Sequence, residues 1–516
     1  MNYKNALISV FNKEGIVNFA QYLSKLSVNI ISSGGTSKVL MDSGIQVKEV
    51  SELSGFPEML DGRVKTLHPV IHAGILAKRD KKNHMDNLKK YNIDTIDIVV
   101  CNLYPFESTI KKQNVSIEEV VENIDIGGPT LIRAAAKNYQ DVIILTDPNQ
   151  YSKVINLISQ KKKINLEYRM QLAIEAFSHT AQYDYIISQY FRSKFTNEIL
   201  PENLTFTMRK IQDMRYGENP HQKGAFYQSL PTSSEPCISN VKKIQGKELS
   251  YNNILDSDCA IECVKEFSDC TCAIVKHANP CGIATAKNLL QAWKDAYATD
   301  IYSPFGGIVS FNGNVGEDIA QELNNYFLEV LIAPSFSENA LSILSKKKNL
   351  RILELKGLVN TIERKGMEIR NVIGGFLVQE RDTWLSDKKN WTFPTKKKPS
   401  QKEIESMEFA IKCIKHVKSN AVLFVKNTRT VAIGGGQTSR VDAAWIATHK
   451  GKENIKGSIM VSDAFFPFRD AVDVAAKAGV KAIIQPGGSI RDEEVIRAAN
   501  EYEIAMVFSG QRYFKH

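Results

Sequence analysis

Over the first 150 residues the chain alternates between two hydrophobic periods. Short apolar runs at 6–10, 28–31, 95–103 and 141–145 read as strands, with Val99-Val100-Cys101 at the centre of the third. Between the first two, Ile16, Phe19, Ala20, Leu23 and Leu26 recur at helical spacing. Strands separated by helices predict a parallel sheet with helices on both faces. Residues 165–192 carry a longer helical pattern, with Met170, Ile174, Phe177, Ala181 and Tyr185 on one stripe. Periodicity fades over 193–207, which places a domain boundary there. Beyond it the pattern is α/β again. Two apolar runs, 273–277 and 421–427, each lead through a Gly-containing loop toward a helical stretch, 289–296 and 442–447. This hints at an internal duplication, with the aperiodic segment 380–402 as the connection.

Composition narrows the class. A chain of 516 residues exceeds one core, and 43% hydrophobic with 24% charged residues is the balance of a soluble globular protein. No stretch reaches the roughly 18–20 apolar residues of a membrane span. The N-terminus runs into its first strand with no signal-peptide core. The net charge of +9 includes three separated lysine runs, at 161–163, 346–348 and 396–398. They lack the interleaved aromatics and contiguous face that nucleic acid requires. A modest cationic surplus suits small anions such as phosphates. The eight cysteines show no disulfide spacing, and Cys101, Cys259, Cys263 and Cys413 sit in apolar runs. Cys270-Thr271-Cys272 has no partner pair for zinc. A reducing, cytoplasmic setting is the expectation.

Several motifs carry candidate chemistry. In Ala273-Ile274-Val275-Lys276-His277-Ala278-Asn279-Pro280-Cys281-Gly282 an apolar run delivers Lys276 and His277 to the mouth of a Pro/Gly turn. A cation beside an imidazole favours its neutral, basic form. The pair reads as a proton-transfer couple or as a strand end with two polar residues. Ser33-Gly34-Gly35-Thr36, between a strand and a helix, suits an anion or a tight turn. Gly62-Arg63-Val64-Lys65-Thr66-Leu67-His68-Pro69 adds two cations and a hydroxyl, a set that suits a phosphate monoester. Ser9 and Lys13 follow the first strand, at the carboxyl edge where ligands bind parallel sheets. Ile124-Asp125-Ile126-Gly127-Gly128-Pro129-Thr130, with Arg133 and Lys137, feeds a helix that Asp125 alternatively caps. Tyr104 ends a strand. Arg215-Tyr216-Gly217-Glu218-Asn219-Pro220-His221-Gln222 is dense in polar groups. Gly-rich loops occur at 302–307, including Gly306, and at 433–440. Ser462-Asp463-Ala464-Phe465-Phe466-Pro467-Phe468-Arg469-Asp470 mixes three Phe with charge, as a pocket for a flat heteroaromatic does. No Walker A or complete dinucleotide fingerprint occurs. A zinc nucleoside deaminase needs H-x-E and P-C-x-x-C, and none of the nine histidines begins the first, while Pro280-Cys281 has no second Cys. A non-catalytic nucleotide sensor accounts for the phosphate loops but not for the Lys-His pair.

Taken in order, these strings resemble the bifunctional AICAR transformylase/IMP cyclohydrolase family of purine biosynthesis over nearly the whole chain. The resemblance implies a methylglyoxal-synthase-like α/β domain at 1–199, a three-layer parallel sheet that closes formyl-AICAR to IMP. It implies a transformylase domain at 200–516, built of two cytidine-deaminase-like subdomains at about 200–380 and 400–516. That domain would move a formyl group from 10-formyltetrahydrofolate to AICAR. Carried over by motif, Lys276 and His277 are the transformylase pair. Arg215, Tyr216, His221, Gly306, Asn420, Arg440 and Arg512 bind nucleotide. Glu329 falls where some relatives carry Asp. Phe465, Pro467 and Asp470 match the folate side, with Phe465 also near substrate. In the first domain Ser9, Lys13, Ser33, Gly34, Gly35, Thr36, Arg63, Lys65 and Thr66 match the nucleotide site, and Lys65, Tyr104, Asp125 and Lys137 the ring-closure groups. Phe11 stands where some relatives have a small polar residue. The family implies a homodimer with a shared transformylase site and no catalytic metal, and leaves room for a monovalent cation. It implies small-molecule partners only, with no nucleic acid or membrane.

Overall fold

Apolar runs buried at every position cannot face water on either side, and the first part of the chain pairs them accordingly. β1 (Asn5–Val10), β2 (Asn29–Ser32), β3 (Val47–Glu49), β4 (Ile98–Asn102) and β5 (Ile143–Leu145) form one parallel sheet in the order β3-β2-β1-β4-β5. The pattern announces four of these strands. β3 has only three residues, with Lys48 exposed, and no apolar run marks it. The Ile16–Lys25 helix buries Ile16, Phe19, Ala20 and Leu23, as its spacing predicts. Chain order reverses between β1 and β4, which opens a crevice at their carboxyl ends. The computed structural model describes residues 3–160, 162, 164–196, 198–358 and 366–516. The expected lysine loop at Lys161 and Lys163 thus lies outside the described residues.

The long helix runs Leu166–Phe195, with the Asn165 side chain accepting from the Tyr168 N–H at 2.9 Å. Its buried face differs from the expected stripe. Arg169, Leu172, Ala173, Ala176, Thr180, Tyr183, Ile186 and Tyr190 point inward, while Met170 and Ile174 are 44% and 61% exposed. The inner face lies against the Gly127–Lys137 helix. Small alanines let it approach, and polar tips find partners: Arg169 Nε donates to the Ile164 carbonyl at 3.2 Å. Counting apolar residues therefore selected the wrong side.

The chain divides into two units after Thr207. In the second, β6 (Met208–Met214) and β7 (Gly224–Ser229) form a separate hairpin, as do β14 (Met367–Val372) and β15 (Gly375–Glu380). The remaining strands are β8 (Lys242–Gln245), β9 (Thr271–Lys276), β10 (Asn279–Thr285), β11 (Gly307–Phe311), β12 (Leu328–Ala333), β13 (Arg351–Glu354), β16 (Val422–Lys426), β17 (Arg429–Gly434), β18 (Ile459–Ser462), β19 (Ala482–Gln485) and β20 (Ala505–Phe508). They make one sheet ordered β20-β19-β18-β16-β17-β10-β9-β11-β12-β13-β8.

This order contains a repeat. A helix, Tyr251–Val264, precedes β9 to β13, and another, Gln401–Ile414, precedes β16 to β20. The second helix begins and ends 150 positions after the first, and each is capped by a serine, Ser250 or Ser400, in a capping box. The same offset pairs Cys263 with Cys413, Lys265 with Lys415 and Lys276 with Lys426. Both helices bury themselves in one shared core, with Ala273, Val275, Leu423 and Val425 of the sheet. The alternate residues face two separate cores, Cys272 and Ile274 in one, Val422 and Phe424 in the other. The halves meet at β10 and β17, registered through Ala284 and Arg429. Next to that pair, Thr430 Oγ1 accepts from the Ile283 N–H at 2.9 Å and donates to its carbonyl at 3.0 Å.

The turn after Lys276 also differs from expectation. It is His277-Ala278 itself, with φ of 56° and 53°, and Pro280 and Gly282 lie inside β10. Cys281 falls in an irregularity of the β9–β10 register between them, the kind of position at which a strand tolerates proline. Gly282 is obligatory because a Cβ would stand 2.0 Å from the Ala296 carbonyl oxygen.

Candidate functional site

The crevice between β1 and β4 is closed at its floor by Asn102, whose Oδ1 accepts from the Phe11 and Asn12 N–H groups at 2.7 and 2.9 Å. Ser9 lies on β1, and Lys13 Nζ curls back to the Val10 and Phe11 carbonyls at 3.2 and 3.3 Å. Ser33 is extended, and Gly34, at φ 55°, opens the Gly34–Asp42 helix. The first-turn N–H groups of such a helix lack helical acceptors and favour an anion. A Cβ on Gly34 would lie 3.2 Å from Lys65 Nζ, so the two sequence motifs converge. Lys65 pairs with Glu58, and Arg63 with Glu122. These pairs are solvent-accessible and worth about 0–1 kcal/mol, so they hold the two cations only weakly. Thr36 is turned inward, its hydroxyl donating to the Val10 carbonyl at 2.9 Å and accepting from the Val10 N–H at 3.2 Å. It braces the loop.

Asp125 precedes the Gly127–Lys137 helix, its Oδ1 accepting from the Gly128 N–H at 2.7 Å. Burial raises its pKa above the usual carboxylate value, and the N–H groups of Gly128, Tyr104 and Gly127 oppose that rise. A Cβ on Gly127 would lie 2.8 Å from Thr66 Oγ1, which brings the Arg63–Thr66 loop to the same point. The Tyr104 ring stands 5.4 Å from that of Phe11 at the mouth. Lys137 is exposed at the far end of its helix, about 15 Å along the axis from Gly127. The crevice also uses Tyr183, which motif reading missed. Its hydroxyl accepts from the Asp125 N–H at 2.9 Å, and burial pushes its pKa up to about 12. A tyrosine far along a helix carries no local signal of this contact.

In the second unit, strand directions place the end of β9, the starts of β11, β12 and β16, and the ends of β17 and β18 along one edge of the sheet. Lys276 Nζ donates to the Phe305 carbonyl at 2.8 Å, beside Gly306 at φ 72°. His277 is exposed at the tip of the β9–β10 hairpin. Its N–H and that of Ala278 donate to the Asp256 carboxylate at 3.2 and 2.6 Å. Lys276 and His277 line a cleft of about 240 Å³ with Asp300, Ser303, Gly435 and Lys450. Farther along, Asn420 Nδ2 donates to the Gln437 carbonyl at 2.9 Å. Arg440 meets the fully buried Asp463 at 3.4 Å. Burial raises the Asp463 pKa, and Ser419, Arg440 and the Ala421 backbone oppose that rise. The guanidinium groups of Arg440 and Arg512 both lie over the Phe514 ring, 5.6 and 4.9 Å from its centre. Among the described residues no three His, Cys, Asp or Glu side chains gather as metal ligands.

The AICARFT/IMPCHase bienzyme family matches residues 135–450, and the MGS-like domain matches 15–130. A bifunctional purine biosynthesis protein PurH of Acetivibrio thermocellus is 51% identical over 513 residues, 99% of this chain and 100% of its own. The protein of that name from Caldicellulosiruptor saccharolyticus is 50% identical over 99% of this chain and 100% of its own. That from Bacillus subtilis is 48% identical over the full length of both. The chain belongs to the AICARFT/IMPCHase bienzyme family. It is a bifunctional enzyme of purine biosynthesis, an AICAR formyltransferase and IMP cyclohydrolase acting in the last two steps to IMP. The transformylase reaction uses a folate co-substrate.

For a bienzyme of this family the expected residues distribute unevenly. Ser9, Lys13, Ser33 to Thr36, Lys65, Thr66, Tyr104 and Asp125 gather around the crevice. Lys276, His277, Gly306, Glu329, Asn420, Arg440 and Phe465 share one sheet edge but not one pocket. Strands lie about 4.8 Å apart, so the end of β18 is about 19 Å from Lys276, and Glu329 on β12 lies on the opposite side. Glu329 accepts from Asn253 Nδ2 at 2.7 Å. Arg215, Tyr216 and His221 sit in the loop of the separate β6–β7 hairpin. The three Phe of the 462–470 string do not form one aromatic wall. Phe466 is core and donates its N–H to Gln485 Oε1 at 2.9 Å, Phe468 lies under Arg491 at 4.7 Å, and Phe465 is 40% exposed. Pro467 is half-buried, and Asp470 opens the next helix.

Proposed function

We propose that the crevice at the β1–β4 switch point performs ring closure and that the Lys276–His277 edge performs formyl transfer from 10-formyltetrahydrofolate. The second assignment rests on the hairpin turn, which sets an exposed imidazole next to an ammonium anchored on the Phe305 carbonyl. The amine of AICAR is a weak nucleophile, its lone pair delocalised into the ring. His277 takes its proton as nitrogen attacks the formyl carbon. Lys276 stabilises the oxyanion that forms, and the carbon–nitrogen bond to folate breaks as that nitrogen regains a proton. In the crevice, the helix start, Lys13, Arg63 and Lys65 hold the 5′-phosphate. With both reacting ends fixed in one molecule, positioning supplies much of the acceleration as the carboxamide nitrogen meets the formyl carbon and water leaves. Asp125, raised by burial, exchanges the proton.

The spread of transformylase groups along the sheet edge supports a homodimer in which a second copy completes each site. Eight free cysteines accord with the reducing cytoplasm. His277→Ala is expected to abolish formyl transfer while supplied formyl-AICAR is still cyclised, read in a two-activity assay on the full chain. Retained formyl transfer overturns the base assignment, and loss of both activities in a folded variant overturns the division between units.

A further inference from the structure

We infer that Asp256 is a positioning residue for formyl transfer, holding His277 and Ala278 in the left-handed turn that presents the imidazole. A two-residue hairpin loop of the I′ type requires positive φ at both central residues, and Asn-Gly meets that need most readily. Here the residues are His277 and Ala278, at 56° and 53°; histidine enters that region more readily than most residues, alanine does not. The Asp256 carboxylate takes both turn N–H groups, at 3.2 and 2.6 Å, and Cys259 Sγ, one helical turn on, donates to the Ala278 carbonyl at 3.5 Å. A single face of the Tyr251–Val264 helix thus grips the turn from outside the ladder.

The repeat supplies an internal control. At the 150-position offset, Ser406 stands for Asp256 and Phe409 for Cys259. Ser406 donates to its own helix, to the Lys402 carbonyl at 3.0 Å. The equivalent β16–β17 turn has Asn427 at φ 52°, a residue that tolerates this conformation, and its neighbour Thr428 does not adopt it. The fold therefore makes this hairpin without a carboxylate. The clamp accompanies the Lys-His pair. Adjacent residues on a regular strand face opposite sides, yet Lys276 and His277 line one cleft. The left-handed backbone at His277 is what breaks the alternation.

This inference rests on the reading of His277 as the base. The test uses the full-length enzyme with AICAR and 10-formyltetrahydrofolate. Asp256→Ala is expected to lower the formyl-transfer kcat on the order of 10- to 100-fold, with the AICAR KM and the cyclisation of supplied formyl-AICAR unchanged. Adding Ala278→Gly to that variant is expected to restore kcat to within about threefold of wild type, because glycine holds positive φ without a clamp. Should Asp256→Ala not fold, Asp256→Asn, which keeps one acceptor oxygen, carries the same comparison. A kcat unchanged in Asp256→Ala, or no recovery with Ala278→Gly, overturns the inference. If His277→Ala itself retains formyl transfer, the base assignment has failed; if it is inactive while Asp256→Ala is not, only the clamp has.

Discussion

Asp125 shows what one carboxyl costs and supplies. Burial is the largest influence on it, and its pKa in the folded chain lies above 3.8. The folded state therefore holds this proton more tightly than the unfolded one. Its stabilising contribution is complete below the unfolded value and is lost as pH rises through the folded value. Ionising this carboxyl in the folded chain therefore costs stability. Asp125→Asn is expected to let formyl-AICAR accumulate, seen by chromatography of the reaction mixture. Its melting temperature relative to wild type should rise between about pH 4 and pH 7. A relative fall over that range refutes the sign. At this scale the sequence showed which strings of the first unit converge and not what each residue touches; Lys137 and the groups along the second unit's sheet edge do not gather in one pocket. Ser33, Gly34, Lys65 and Asp125 were legible because Gly-rich and charged strings are locally conspicuous. Thr36 sits in the same string but serves the backbone of Val10. Tyr183 and Asp256 were invisible, because a tyrosine or aspartate within a helix says nothing about the loop it will meet.

Elements were legible where one period dominated. β1, β4 and the Ile16–Lys25 helix follow their patterns. The Leu166–Phe195 helix was found but its buried side was not, because alanine, threonine and a paired arginine fill a face set by close approach. β3 and the two isolated hairpins carry no strong pattern. Pro280 and Gly282 suggested a turn, whereas one accommodates an irregular strand register and the other a helix backbone. That last contact gives a sharp contrast. Gly282→Ala puts a methyl against the Ala296 carbonyl, which is main chain and cannot swing aside. It should cost more than about 3 kcal/mol and abolish formyl transfer. Gly35→Ala meets nothing within 4 Å and should fold as wild type, with any effect confined to phosphate binding. Thermal melts and both activity assays distinguish the two, and equal stability of the two variants refutes the packing argument.

For the whole molecule, alternation of periods was enough to predict two α/β regions, and two similar strand passages hinted at the duplication. What could not be read was that the halves share one sheet and one core, since long-range strand order leaves no local trace. The spread of groups along that sheet makes a prediction about assembly. His277→Ala and Arg440→Ala should each be inactive in formyl transfer alone. If each site draws one residue from each copy, mixed and re-equilibrated variants should recover about a quarter of wild-type activity. No recovery, with subunit exchange shown by mass, places both residues in the same copy's site.

The seam between β10 and β17 gives this sheet a grain. Near the centre of its eleven strands, a threonine hydroxyl is joined to the backbone of the facing strand. On one face a common apolar layer of helices bridges the line; on the other two apolar layers are joined across it by polar contacts, Thr299 Oγ1 with Thr430 Oγ1 at 2.9 Å, Arg429 with Asp295 at 3.2 Å and Lys450 with Asp300 at 3.3 Å. Such a sheet is two plates joined along one line, with an apolar seal on one face and a polar latch on the other. The Lys276 turn stands one strand away from that line, so a load across the sheet reaches it before either outer edge.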